Sequence, residues 1–135
     1  MTKGLRPLGG AFAMLIAMGP GVSLALPGPG LKGLEPGEWE LRERGAEADP
    51  VIHRLCLSDL RQLIQVQHPR HSCKGLTVDE GPHRLSVSYD CGGAGGGRTD
   101  LRVETPRLVQ LRSQGIANGA PFSFAMEGRR LGACR

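Results

Sequence analysis

Between positions 84 and 91 the chain alternates without a break. Leu85, Val87, Tyr89 and Cys91 fall on one side, Ser86, Ser88 and Asp90 on the other. A period of two sends successive side chains to opposite faces, so this run reads as a strand with one buried and one wet face. The rhythm returns at 38–44 with Trp39 and Leu41, at 98–104 with Leu101 and Val103, at 107–113 with Val109 and Leu111, and at 121–127 with Phe122, Phe124 and Met126. Residues 51–56 and 74–79 are two further short candidates. Turn-forming groups separate the runs: Asp79-Glu80-Gly81-Pro82, Thr105-Pro106 and Asn118-Gly119. Six or seven short strands at this spacing predict a mainly β fold, an antiparallel meander.

One stretch changes period. Leu60, Leu63 and Ile64 stand at i, i+3 and i+4 behind Ser58, a good N-cap, and Asp59, which suits the positive end of a helix. The spacing predicts one short helix of about two turns that ends before Pro69 and lies on the sheet, being too short to persist alone. It cannot cover every strand, so the sheet is expected to curl into a half-open barrel or a strongly twisted sheet. Placing Cys73 opposite Cys91 sets Thr77 against Val87 and sends Leu76 and Val78 to the polar face; a one-residue bulge at Lys74-Gly75 would restore the phase.

The first 25 residues have a different plan: a basic start at Lys3 and Arg6, an apolar stretch from Gly9 to Met18, a Gly19-Pro20-Gly21 break, then Ser23 and Ala25. That is the layout of a cleaved secretory signal, and the apolar run is about half what a spanning helix needs. Residues 1–25 are therefore expected to be removed, with no membrane span left afterwards. Three prolines and three glycines make 26–36 a flexible linker, and 37–135 a single β-rich domain. The formal charge is +4, and losing Lys3 and Arg6 leaves +2. With Trp39, Tyr89, Phe122 and Phe124 as the only aromatics after position 25, neither charge nor stacking surface suits nucleic acid.

Cys56, Cys73, Cys91 and Cys134 all follow the signal, and an even count in a short exported chain reads as a disulfide framework with three possible pairings. No Cys-x-x-Cys pair suggests structural zinc.

The residues Pro36-Gly37-x-Trp39-Glu40, Cys56-Leu57-Ser58, Cys73, Cys91 before a glycine run, and Gly128-Arg129-Arg130-Leu131-Gly132-x-Cys134 resemble the family described as domain of unknown function 3617, small exported proteins of Gram-negative bacteria. The resemblance spans about 35–134 and implies a periplasmic location. It brings no catalytic or ligand residues to this chain. Of the three pairings, the favoured one is Cys73 with Cys91, stapling the hairpin, and Cys56 with Cys134, tying the helix start to the final segment.

Several groups invite chemistry. The glycine run at 92–97 lacks the Gly-Lys-Ser/Thr of a phosphate loop and reads as a mobile hairpin loop. His68 and His71 flank Pro69-Arg70 and are expected on an exposed loop, without a metal. There is no Gly-x-Ser-x-Gly elbow and no His-Glu-x-x-His, so neither a catalytic residue nor a cofactor is assigned and an envelope hydrolase ranks last. Lys74, Arg84, Arg112, Arg129 and Arg130 would form a basic patch were the fold to gather them. Trp39, Tyr89, Phe122, Phe124 and Met126 share inward parity; they are core, or the lining of a pocket for a small apolar ligand if the curled sheet leaves a gap. The reading is a periplasmic, non-catalytic binding or interaction module, partnered by an envelope protein or a small apolar ligand, with a lipocalin-like carrier as the alternative.

Overall fold

In the computed structural model, residues 33–135 are described. The segments assigned to a signal and to most of the linker lie outside them. Within them the alternating runs become strands: β1 (Gly37–Glu43), β2 (Ile52–Leu57), β3 (Lys74–Gly81), β4 (Arg84–Asp90), β5 (Gly95–Thr105), β6 (Leu108–Ala117) and β7 (Ala120–Gly132). All seven pair antiparallel in one sheet of order β2-β1-β7-β6-β5-β4-β3. From β3 to β7 it is an uninterrupted meander, and β1 adds alongside β7, so the first strand lies beside the last. The sheet does not close: β2 and β3 are its edges.

That order decides how the core is covered. The chain leaves β2 at one edge and must re-enter at β3 on the other, so residues 58–73 cross a face of the sheet, and they carry α1 (Arg61–Ile64) with them. The crossing buries Leu63 with Trp39, Leu41, Leu57, Leu101, Val103, Val109, Leu111 and Met126. Ile64 packs in a second cluster with Leu85, Val87 and Tyr89. The inward parity read from the alternation is thus the parity of the core.

Some local expectations change. The helix has one turn, with Leu60 and not Ser58 at its N-cap and no side-chain cap on that residue; just before it Asp59 Oδ1 accepts the Arg61 N–H at 2.9 Å, and Gln62 Oε1 accepts the N–H groups of Ser58 and Asp59. The register shift in the β3–β4 hairpin falls at Val78, between Thr77 and Asp79, and not at Lys74-Gly75. Thr77 does face Val87, and Leu76 stays opposite Ser88 on the polar face, exposed on the edge strand. The last three strands run 11, 10 and 13 residues, longer than the alternation alone marked, with β7 continuing through the Gly-Arg-Arg segment to pair with β1. Ordered packing also begins before Gly37: Leu34 lies against the core, the Glu35 N–H donates to Pro106 O, and the Trp39 indole donates to Glu35 O at 3.0 Å.

Both favoured disulfides are present. Cys73–Cys91 joins the start of β3 to the end of β4, and Cys56–Cys134 ties the edge strand β2 to the segment after β7. A single sheet covered on one face by so short a segment has a thin interior, and cross-links that restrict the unfolded chain offset that deficit.

Candidate functional site

The glycine run turns out to be structural. Gly92–Ala94 form one 3-10 turn, and Gly95 already begins β5, so 92–97 is not a mobile loop. Gly97 faces Tyr89 across one strand pair and Gly115 across the other, and Gly115 faces Phe122. A Cβ on Gly97 would stand 3.0 Å from the Tyr89 hydroxyl and 3.2 Å from the Phe122 ring. Two bare backbones in one row thus leave room for two rings to lean over them, and the His68 imidazole meets both edge-on at centroid distances of 5.6 and 6.0 Å.

His68 is accordingly buried, at 2% exposure, and not on an exposed loop as its flanking proline suggested; His71 is the exposed one. The Ala94 carbonyl, 3.1 Å from His68 Nε2, can only accept, so Nε2 carries the proton and Nδ1 is left to face the Tyr89 hydroxyl. Nearby, the Thr99 hydroxyl donates to the Ile64 carbonyl at 2.5 Å and, its proton committed, accepts from Ser113. These buried polar groups dock the crossing segment onto the sheet, and among the described residues no buried side-chain donor or acceptor lacks a partner. Burial pushes the Tyr89 phenol above its ordinary pKa, with the Ser113 hydroxyl partly offsetting the rise.

The five residues read as a possible apolar pocket are distributed among packed groups. Trp39 and Met126 belong to the main cluster with Phe124 at its margin, Tyr89 to the second cluster, and Phe122 stacks on Phe124 beside His68.

The opposite, polar face carries the candidate site. Its central rows follow from the register: Ser88–Arg98–Gln114–Ser123, then Ser86–Asp100–Arg112–Ala125, then Arg84–Arg102–Gln110–Glu127. Short side chains at Ser86, Ser123 and Ala125 sit between long ones, and the unevenness sinks a trough into the face. It consists of two adjoining depressions of about 410 and 550 Å³ that share Arg44, Arg98, Asp100 and Arg112. Arg84, Arg102 and Asp79 line one, and Glu43, Gln114 and Ser123 line the other.

Charge in the trough is unevenly compensated. Arg84 pairs with Asp79 at 2.8 Å, Arg98 with Asp100 at 3.3 Å and Arg102 with Glu104 at 2.5 Å. The Arg84 guanidinium holds the Asp79 carboxyl below its usual range. Ser86 donates a short hydrogen bond to Asp100. Arg44 hydrogen-bonds only a neutral acceptor, Gln110 Oε1 at 2.8 Å, with the Glu127 carboxylate near enough to feel its charge, and Arg112 makes no hydrogen bond or ion pair with any described residue.

Of the basic residues singled out in the sequence, only Arg84 and Arg112 meet here. Lys74 lies at the start of the edge strand β3, Arg129 is held by Glu127 at 2.6 Å, and Arg130 donates to Pro36 O. Arg44, Arg98 and Arg102 complete the trough and were not singled out; the outward parity of Arg98 and Arg102 was the available signal. Among the described residues no group of His, Cys, Asp and Glu is arranged to hold a metal, and no helix is long and apolar enough to cross a membrane. No family model, curated protein or solved structure matches this chain.

Proposed function

We propose that this protein is an exported, non-catalytic binding module of the periplasm and that it binds through the arginine-lined trough on the polar face of its sheet. Two disulfides fit an oxidising, exported compartment. The resemblance to the exported family noted in the sequence, and the signal-like plan of residues 1–25, support the periplasm as that compartment. The observation that carries the reading is the trough itself: a depression in the size range of small-ligand sites, lined by five arginines and two carboxylates along the smaller of its two parts. A face meant only to stay wet has no need to concentrate unneutralised guanidinium groups in one hollow.

The carrier alternative has less behind it, because Trp39, Met126 and Tyr89 are all under one-tenth exposed and serve as core. The test is amide chemical-shift mapping of the oxidised protein against the low-mass fraction of an envelope extract. Saturable shifts confined to residues 98–102, 110–114 and 123–125 support binding at the trough. Shifts centred on Tyr89 and Phe122, with saturable uptake of a fluorescent apolar probe, would favour the carrier, and the absence of any saturable shift would end the proposal.

A further inference from the structure

We infer that the trough takes a dianionic phosphate group, carried as a monoester by a small soluble molecule; this rests on the reading above and names its ligand class. Across the two depressions the lining holds five arginines against three carboxylates, Asp79, Asp100 and Glu43, and Glu104 beside it pairs with Arg102, which leaves an excess of one positive charge. The excess is localised. Three of the arginines have a carboxylate partner, whereas Arg44 has only the Gln110 amide oxygen and Arg112 has no described partner. Arg112 stands mid-strand between Asp100 and the short Ala125, whose carbonyl accepts the Arg44 N–H, so the two partnerless arginines flank Ala125, and both line each depression.

Guanidinium groups crowded into one hollow repel each other, and an anion placed among them relieves that repulsion while accepting their forked N–H donors. A monocarboxylate brings one negative charge to the two guanidinium groups that have no carboxylate partner, whereas a phosphate monoester brings about two near neutral pH. Ser123 and Gln114 beside the cations supply neutral hydrogen-bonding groups for the hydroxyls of a small ester body.

The experiment titrates the oxidised full domain with glycerol 3-phosphate, with acetate at matched ionic strength, and with phosphatidylglycerol vesicles, following backbone amides and the Arg112 Nε–H. Saturable shifts at 98–100 and 110–114 with glycerol 3-phosphate are expected, with Arg112→Ala weakening the affinity about tenfold or more. Arg61→Ala, on α1 and outside the trough, leaves it unchanged. Since Arg112 has no described partner to lose, its substitution should not move the melting temperature, and Arg112→Gln serves as a second variant. Three results overturn the inference: no saturation with glycerol 3-phosphate, an equal response to acetate, or binding to vesicles alone. If glycerol 3-phosphate fails while the envelope fraction still shifts trough amides, the ligand class falls and the binding reading stands; if both fail, both fall.

Discussion

His68 Nε2 lies 3.1 Å from the carbonyl oxygen of Ala94, 26 residues further along the chain, and this bond fastens the segment that crosses the sheet to the turn that opens β5. The same carbonyl accepts the Asn118 N–H, so the β6–β7 turn is drawn into the same point. His68→Ala removes the donor and leaves a void beneath Tyr89 and Phe122. We expect a loss of about 2–3 kcal/mol in chemical denaturation followed by Trp39 fluorescence. An unchanged midpoint would show that the imidazole adds nothing to docking.

Gly128 sits between Leu41 on β1 and Val109 on β6, and a Cβ there would come within 2.8 Å of Leu41 Cδ2 and 2.7 Å of Val109 Cγ2. Gly128→Ala is therefore an overpacking substitution at the centre of the sheet, expected to cost about 1–3 kcal/mol. Combining it with Val109→Ala should recover part of the loss in the same denaturation measurement, because the clash partner is shortened.

The two disulfides constrain unequal lengths of chain, with separations of 78 and 18 residues. Replacing both cysteines of a pair by serine should cost about 4.5 kcal/mol for Cys56–Cys134 and about 3 kcal/mol for Cys73–Cys91 if unfolded-chain entropy dominates. Melting temperatures in non-reducing buffer test the order. The reverse order would mean that the hairpin staple also holds native packing around Tyr89, with Cys73 and Cys91 both lying against that cluster.

Tyr89 is the only tyrosine in the chain, so tyrosinate absorbance reports on it alone. Its buried phenol should ionise above the ordinary value of 10.0. The sign follows: with the folded pKa raised, the neutral phenol's contribution to stability is fully present below pH 10 and is lost as pH rises through the folded value. Alkaline titration should show the absorbance step shifted upward or coincident with unfolding. A step at the free-phenol position with the fold intact would contradict the burial.

At the acid end, Glu40, Asp59, Asp79 and Glu127 are held below their usual range; the leading causes are hydrogen bonds from Arg54, Arg61, Arg84 and Gln110 respectively. Depressed carboxylates stabilise above their unfolded pKa and lose that contribution as pH falls through the folded one. Stability should hold from pH 7 to about 5 and decline below about 4.5, modestly, because these pairs are exposed and salt-screened. A decline that begins near pH 6 would show that these carboxylates do not set the acid limit.

Alternation made the strands readable, because a period of two is a local property of the backbone, and Asn118-Gly119 marked its turn because few other pairs adopt the positive φ both residues show. The favoured cysteine pairs needed only the hairpin and one long-range guess. Beyond those features local signals ran out. Gly97 was read as part of a mobile loop, yet with Gly115 it leaves the space into which Tyr89, Phe122 and His68 fit, and that fit exists only once β4 to β7 lie side by side. The trough was invisible for the same reason: Arg44, Arg98 and Arg112 come from three strands or strand ends, and only cross-strand register sets them around Ser123 and Ala125. Sequence by itself determined which face of each strand is apolar, since that depends on neighbours two positions away. Tertiary structure alone decided which charges meet and which histidine is buried, since those depend on pairing between strands far apart in the chain.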